Sequence, residues 1–427
     1  MKKFLLVFAM LLVIAGCEKE DSVTMLDEQN HAPEVFDLLM PSEGAQLDVY
    51  DISFQWQRPS TAENSKLTYD LYVYREGSTP VRVAEKLADP SYVLDGRSLF
   101  NHTYNWYVVA KDEQHRETMS PVRAFTTRDL QPLQIHNGTS GDMFSERYAY
   151  TGVYFNNSFF IMNGYGDHIL GDVWSSKNYG QNWSLETDMT NTGFERYAHT
   201  HAIFNNKLYI MGGYRDGQPL SDMYSTMNGR DWIKEVPSAR FTPRYEHTTL
   251  VFKDKMWVIG GYNNDMLMDD VMSWTGDTKD PWMMEASGLQ TPFDGIRGHS
   301  AVVYDDKMWI IGGSDRNGYL NKVWTSRDGK NWMPVMEMPM RIAYHKSVVF
   351  DNKIWVIGGL SESGPSNEVY YYDMHTNNWV RYEMPMDFRA MYNHAVITVN
   401  EGTSNDGIYI LGSYDGNNYI RDMWKLY

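Results

Sequence analysis

Cysteine is almost missing. A single one, Cys17, stands among 427 residues, which excludes a disulfide within the chain. Basic residues are scarce relative to acids: 38 Lys and Arg against 55 Asp and Glu leave a formal net charge of −17. A nucleic acid is thereby excluded as the main partner, since phosphate binding needs a basic surface. Beyond residue 17 no run is long and apolar enough to cross a bilayer as a helix. What the chain has in quantity is aromatic residues, 14% of the total, and Gly pairs at regular spacing.

Lys2 and Lys3 precede an apolar run from Phe4 to Ala15, too short to span a membrane, and together they read as a targeting segment. Ile14-Ala15-Gly16-Cys17 then resembles a bacterial lipobox. The resemblance implies cleavage before Cys17 and diacylglycerol on its thiol. Residues 1–16 are expected to be a signal peptide and 17–31 a lipidated acidic tether. Glu18-Lys19-Glu20-Asp21 is similar to the surface-export signal of some Gram-negative lipoproteins. The expected location is the outer membrane, anchored through Cys17 and facing outward, with the periplasmic face as the alternative.

Residues 32–127 read as alternating strands between turn residues: Ile52–Trp56, Leu67–Val73, Tyr104–Ala110 and Val122–Thr127. Trp56, Tyr104-Asn-Trp106 and the closing Phe125-Thr-Thr127 resemble a fibronectin type III or immunoglobulin-like sandwich. Such modules in exported bacterial proteins serve mostly as spacers, and no catalytic constellation is present in this one.

Six near-copies of one pentapeptide follow. They are Ile161-Met-Asn-Gly-Tyr165, Ile210-Met-Gly-Gly-Tyr214, Val258-Ile-Gly-Gly-Tyr262, Ile310-Ile-Gly-Gly-Ser314, Val356-Ile-Gly-Gly-Leu360 and Ile410-Leu-Gly-Ser-Tyr414. Counted at Gly164, Gly213, Gly261, Gly313, Gly359 and Ser413, they stand 49, 48, 52, 46 and 54 residues apart. A short apolar strand ending in a Gly pair, at a period near 50, predicts a radial array of small β-sheets. Ahead of five of the doublets lies a two-residue turn, Asn156-Asn157, Asn205-Asn206, Lys253-Asp254, Asp305-Asp306 or Asp351-Asn352, suited to a hairpin, since Asn tolerates the positive φ required there. Behind it recur a third-strand aromatic (Trp174, Tyr224, Trp324, Tyr370, Trp424) and an outer-strand Trp (Trp183, Trp232, Trp282, Trp332, Trp379).

This ordered set of Arg, His, Gly-Gly, aromatic and Trp resembles kelch-repeat β-propellers. The implied fold class is all-β: an N-terminal β-sandwich followed by a six-bladed kelch-type β-propeller over residues 128–427. The sixth repeat lacks an outer-strand Trp after Trp424. Leu130–His136 is expected to supply that strand and close the ring, with Pro132 tolerated on an edge. Ser176–Trp183 and Ser326–Trp332 are similar to the Asp-box of sialidase propellers, in which the box is a folded turn remote from the active site.

An Arg stands at the start of each repeat: Arg147, Arg196, Arg244, Arg297, Arg341 and Arg389. All six are expected around one mouth of the central channel. There they either pair internally or grip an anionic group bidentately. Tyr165, Tyr214, Tyr262 and Tyr414 follow the Gly doublets and belong to the same face. In kelch domains that bind acidic peptides, the matching Arg and Tyr positions line the pocket. With Asn and Asp in the adjoining loops, this set suits a sugar, stacked on the rings and hydrogen-bonded at its edges. The ring His199, His247, His299, His345 and His394 suits a packing role. His199-Thr-His201 lacks a third metal ligand, so neither a metal nor a cofactor is expected.

Three readings stay open: a surface binding protein for a glycan or other acidic ligand, a sugar-acid enzyme, and a protein–protein module engaging another surface protein. All three are expected of a monomer. The enzyme would be similar to the kelch-type sialic acid epimerases, with Glu146, Glu195 or Glu246 moving protons. Galactose-oxidase-like chemistry is excluded, since that family needs a Tyr–Cys crosslink.

Overall fold

Strict alternation of large and small exposure builds the first part of the molecule. The computed structural model describes residues 32–47, 52–61, 66–94, 102–127, 130–137, 143–235, 241–374, 376–401 and 403–427. Residues 1–31, Cys17 among them, lie outside the described residues. The chain divides into two compact units, Met1–Arg128 and Asp129–Tyr427.

In the first unit, Tyr104, Trp106, Val108 and Ala110 on strand Thr103–Lys111 are buried, and the residues between them are partly exposed. This strand pairs with Thr68–Arg75 and Arg123–Thr127, in a sheet extended by Val81–Leu87 and Ala45–Leu47. A second sheet holds Leu38–Met40, Ile52–Trp56 and Ser91–Leu94. Phe54 meets Trp106 edge-on at 4.9 Å and Trp56 meets Tyr69 at 5.4 Å, so rings from both sheets fill one core. The unit is a β-sandwich.

The second unit is a β-propeller. Thr200–Phe204, Lys207–Met211, Met223–Thr226 and Ile233–Glu235 pair in that order, antiparallel, as one four-stranded blade. Its first turn is Asn205 (φ 47°) and Asn206 (φ 60°), the left-handed pair that a twisted two-residue hairpin requires. Lys253-Asp254, Asp305-Asp306 and Asp351-Asn352 take the same conformation in other blades.

The described residues hold six such sheets. Their first strands start at Thr151, Thr200, Thr248, Ser300, Lys346 and Ala395. Each strand lies beside the next, and the last lies beside the first. The sixth sheet takes its outer strand from far upstream: Pro132–Asn137 pairs antiparallel with Asp422–Leu426. The apolar core is divided among the seams between blades. One seam joins Phe204 and Tyr209 to Met256, Val258, Trp274 and Trp282, and another joins Leu250 and Trp257 to Met308, Ile310 and Trp324.

One ring of backbone hydrogen bonds closes the propeller around its axis. The N–H of Ala198 donates to Ala149 O at 2.8 Å, Glu246 to Ala198 at 3.0 Å and Gly298 to Glu246 at 2.9 Å. Tyr344 donates to Gly298 at 2.6 Å, Asn393 to Tyr344 at 2.9 Å, and Ala149 back to Asn393 at 3.0 Å. All six residues have φ between 53° and 60°. Only glycine takes this conformation without a steric penalty, yet five of the six carry a side chain. That requirement fixes the register of the six repeats independently of side-chain identity.

Candidate functional site

The hydrogen-bonded ring places one equivalent residue per blade, and the neighbours of each can be compared position by position. Immediately before it stand Tyr148, Tyr197, Tyr245, Arg297, Ala343 and Tyr392. One place further back stand Arg147, Arg196, Arg244, Ile296, Ile342 and Met391.

The six arginines expected around the mouth are therefore not equivalent. Arg147, Arg196 and Arg244 share a position, and their side chains are fully buried. Each pairs with an Asp of its own blade: Arg147 with Asp172 at 2.6 and 2.8 Å, Arg196 with Asp222 at 2.7 Å, Arg244 with Asp270 at 2.5 and 2.7 Å. Each also donates to a carbonyl at the end of its blade's second strand, namely Asn163, Gly212 or Gly260. Arg147 makes five such hydrogen bonds inside its blade, and Arg196 and Arg244 make four each, so all three are struts rather than ligand contacts.

The other three depart from that position. Ile296, Ile342 and Met391 occupy it, and they are buried. Arg389 lies two residues earlier than Met391 and grips Asp422 with two bonds of 2.9 Å. Arg341 is exposed one residue before Ile342. Arg297 reaches the mouth, one residue later in register, 4.9 Å over the Tyr262 ring and 3.5 Å from Glu246 Oε2.

Tyrosines take the place that the arginines were expected to fill. Tyr165, Tyr214, Tyr262 and Tyr414 are partly exposed, and bridges join them to Tyr148, Tyr197, Tyr245 and Tyr392. Ring centroids run on without a break: Tyr262–Tyr245 at 5.6 Å, Tyr245–Tyr214 at 4.6 Å, Tyr214–Tyr197 at 5.6 Å and Tyr197–Tyr165 at 5.4 Å. The belt continues Tyr165–Tyr148 at 5.6 Å, Tyr148–Tyr414 at 5.8 Å, Tyr414–Tyr392 at 6.0 Å and Tyr392–Tyr344 at 6.5 Å. Burial among the other rings pushes the Tyr148 and Tyr245 hydroxyls up to about 12, so they are neutral donors at physiological pH. The preceding-residue tyrosines were not identified from sequence, although Arg-Tyr recurs at 147–148, 196–197 and 244–245.

The belt is interrupted where the fourth and fifth blades carry Ser314, Ala343 and Leu360 in place of tyrosine. A charged cluster stands there instead. Tyr344 Oη donates to Glu246 Oε2 at 3.2 Å, with Arg297 on the same carboxylate oxygen. Burial holds the Glu246 carboxyl above the usual carboxylate range, partly offset by Arg297 and the Tyr344 hydroxyl. Of the other two expected proton carriers, Glu195 accepts the Gly193 N–H at 2.9 Å and Glu146 is exposed.

The loop carboxylates largely serve their own turns. Asp315 accepts Asn317 N at 2.7 Å, and Asp415 accepts Asn417 N at 2.8 Å and Asn418 N at 2.7 Å. The histidines reach sideways: each Nε2 of His199, His247, His299 and His345 bonds a hydroxyl of the preceding blade, and burial lowers every one of these pKa values. Among the described residues no group of three His, Cys, Asp or Glu is placed to hold a metal ion.

A family model described as the KLHDC2/KLHL20/DRC7 Kelch-repeats domain matches residues 107–292 and 297–427. The match takes in nearly all of the second unit and begins inside the first, on strand Thr103–Lys111. No curated protein matches the chain.

Arg244→Ile leaves Asp270 buried and unpaired, and should cost about 3–5 kcal/mol in urea unfolding. Asp270→Asn added to it should recover at least half of that loss. An Arg244→Ile variant of undiminished stability would overturn the strut assignment.

Proposed function

The chain belongs to the kelch-repeat family, and from that premise we propose that the tyrosine-lined mouth of its propeller binds a neutral glycan. A kelch domain is a binding or protein-interaction module. The observation that carries the finer reading is the belt of nine tyrosines from Tyr262 round to Tyr344, all partly exposed and all on one face. Their flat apolar faces suit the C–H faces of pyranose rings, and their neutral hydroxyls donate to and accept from sugar hydroxyls. Three of the six arginines are consumed inside the blades, and Arg297 already has a carboxylate neighbour. The mouth thus has little cationic capacity to spare for a sugar acid, and neutral saccharides are favoured.

Tyr197→Ala and Tyr214→Ala should each weaken retention on an immobilised neutral oligosaccharide tenfold or more, about 1.4 kcal/mol. A glycan array with no hit, together with capture of a surface protein, would replace this reading by the protein-partner one.

A second reading has one observation in its favour. Glu246 is a buried carboxyl with a raised pKa, next to an Arg and a Tyr, as an acid–base catalyst on a sugar acid would be. Followed by NMR, sialic acid incubated with the protein should equilibrate between anomers or epimers faster than in buffer if Glu246 is such a catalyst, and Glu246→Gln should abolish the gain. Identical rates with and without protein would exclude that chemistry.

The anchor belongs to the same proposal. Lipid on Cys17 would hold the binding face at the outer surface of the outer membrane. Cys17→Ser should move the protein from the membrane pellet to the soluble fraction, whereas an unchanged pellet fraction would refute lipidation at that residue.

A further inference from the structure

Beneath the mouth a channel runs between the six first strands, with a cavity of about 170 Å³. The first residue of each strand faces it: Thr151, Thr200, Thr248, Ser300, Lys346 and Ala395. The first four share one arrangement. A His of the following blade brings Nε2 to the hydroxyl: His199 to Thr151 at 3.0 Å, His247 to Thr200 at 2.9 Å, His299 to Thr248 at 2.8 Å and His345 to Ser300 at 2.7 Å.

The fifth blade breaks the pattern. Lys346 stands where the hydroxyl belongs, and His394 has no hydrogen-bond partner on either ring nitrogen among the described residues. The Lys346 amine has no ion-pair or hydrogen-bond partner there either. The nearest acid in the lining is Glu246 at the mouth, already held by Arg297 and Tyr344. Burial lowers the Lys346 ammonium to about 8, with no carboxylate countering the shift. Lys346 is partly exposed where it faces the channel, so at neutral pH the channel carries one positive charge that no acid of its own wall neutralises.

The rest of the wall is arranged to donate. Nδ1 of His199, His247 and His299 is buried without an acceptor, so the proton of each neutral ring belongs on Nε2 and is given to the threonine. Those threonines keep their own O–H hydrogens. Thr200 sits 2.6 Å from Thr249, so that hydroxyl pair retains one hydrogen to turn inward. His201 also lines the cavity, and burial together with Lys346 lowers it to about 4, so it stays neutral and does not compete as a cation.

We infer that this channel binds a small monovalent inorganic anion of the halide class beside Lys346 Nζ, with the inward hydroxyls of the neighbouring strands as its other donors. The cavity has room for such an ion and several waters. This site is separate from the glycan reading of the mouth and stands or falls independently of it.

Bromide soaked into crystals of the protein tests it by anomalous scattering. The expected result is a peak within about 3.5 Å of Lys346 Nζ. Lys346→Thr restores the hydroxyl of the other blades and offers His394 an acceptor, so this variant should fold and should lose the peak. In solution, bromide at constant ionic strength against methanesulfonate should raise the Tm of the natural protein, and at least fivefold less that of Lys346→Thr. A natural protein with no channel peak at saturating bromide overturns the inference, as does a Lys346→Thr variant that keeps the peak or the full Tm response.

Discussion

Six backbone hydrogen bonds, head to tail around the axis through Ala149, Ala198, Glu246, Gly298, Tyr344 and Asn393, set the geometry on which the rest depends. Every residue in the ring must be left-handed, because only then does its N–H face one neighbouring blade while its C=O faces the other. Non-glycine residues bear this conformation at roughly 1–2 kcal/mol each, an expense that a closed ring of bonds offsets and an open arc would not. The ring also decides what the mouth presents. The residue before each member lies on the rim, save the buried Ala343, and the residue two before it turns back into the blade.

That last point explains why the repeat was legible in sequence and the site only partly so. The Gly doublets and the Asn-Asn or Asp-Asp turns are demanded by backbone conformation, and conformation shows in residue type. The arginines are different. Arg147, Arg196 and Arg244 are struts, and Ile296, Ile342 and Met391 fill the same place without charge. Arg389 reaches Asp422 of its own blade from two residues earlier, and Arg297 and Arg341 merely fall near that place in number. A shift of one or two residues along the chain exchanges a buried strut for a rim residue, and the Gly doublet does not locate that boundary. The αL ring does, but Ala, Glu, Gly, Tyr and Asn share no side-chain signature. The tyrosines adjoining Arg147, Arg196 and Arg244 could have been found from the recurring Arg-Tyr pair, whereas the exception at Lys346 emerges only when the blades are superposed.

The two surfaces built on this frame differ in kind. The mouth is wide, aromatic and mostly neutral, with its charges gathered at Glu246 and Arg297 on one side. The channel is narrow and lined by hydroxyls, with neutral histidines behind them. Both arise from the same few residues of each repeat: the rim position, the ring position, the His and the hydroxyl that follows it. Substitutions at successive places in one repeat thus tune two separate environments, while the seams of Trp, Met and aliphatic residues behind them are left intact.

The pairing of Pro132–Asn137 with Asp422–Leu426 has a consequence in time. Most contacts in a blade join residues a few dozen positions apart, and such sheets are able to assemble one after another. The sixth sheet instead joins positions nearly three hundred residues apart, a separation that raises the entropy of closure only logarithmically but makes the search slow. Until residues 422–426 are available, the strand near residue 132 has no partner, and the first and fifth blades each show an uncovered flank. The ring is thus complete only once residues 132–137 and 422–426 have met.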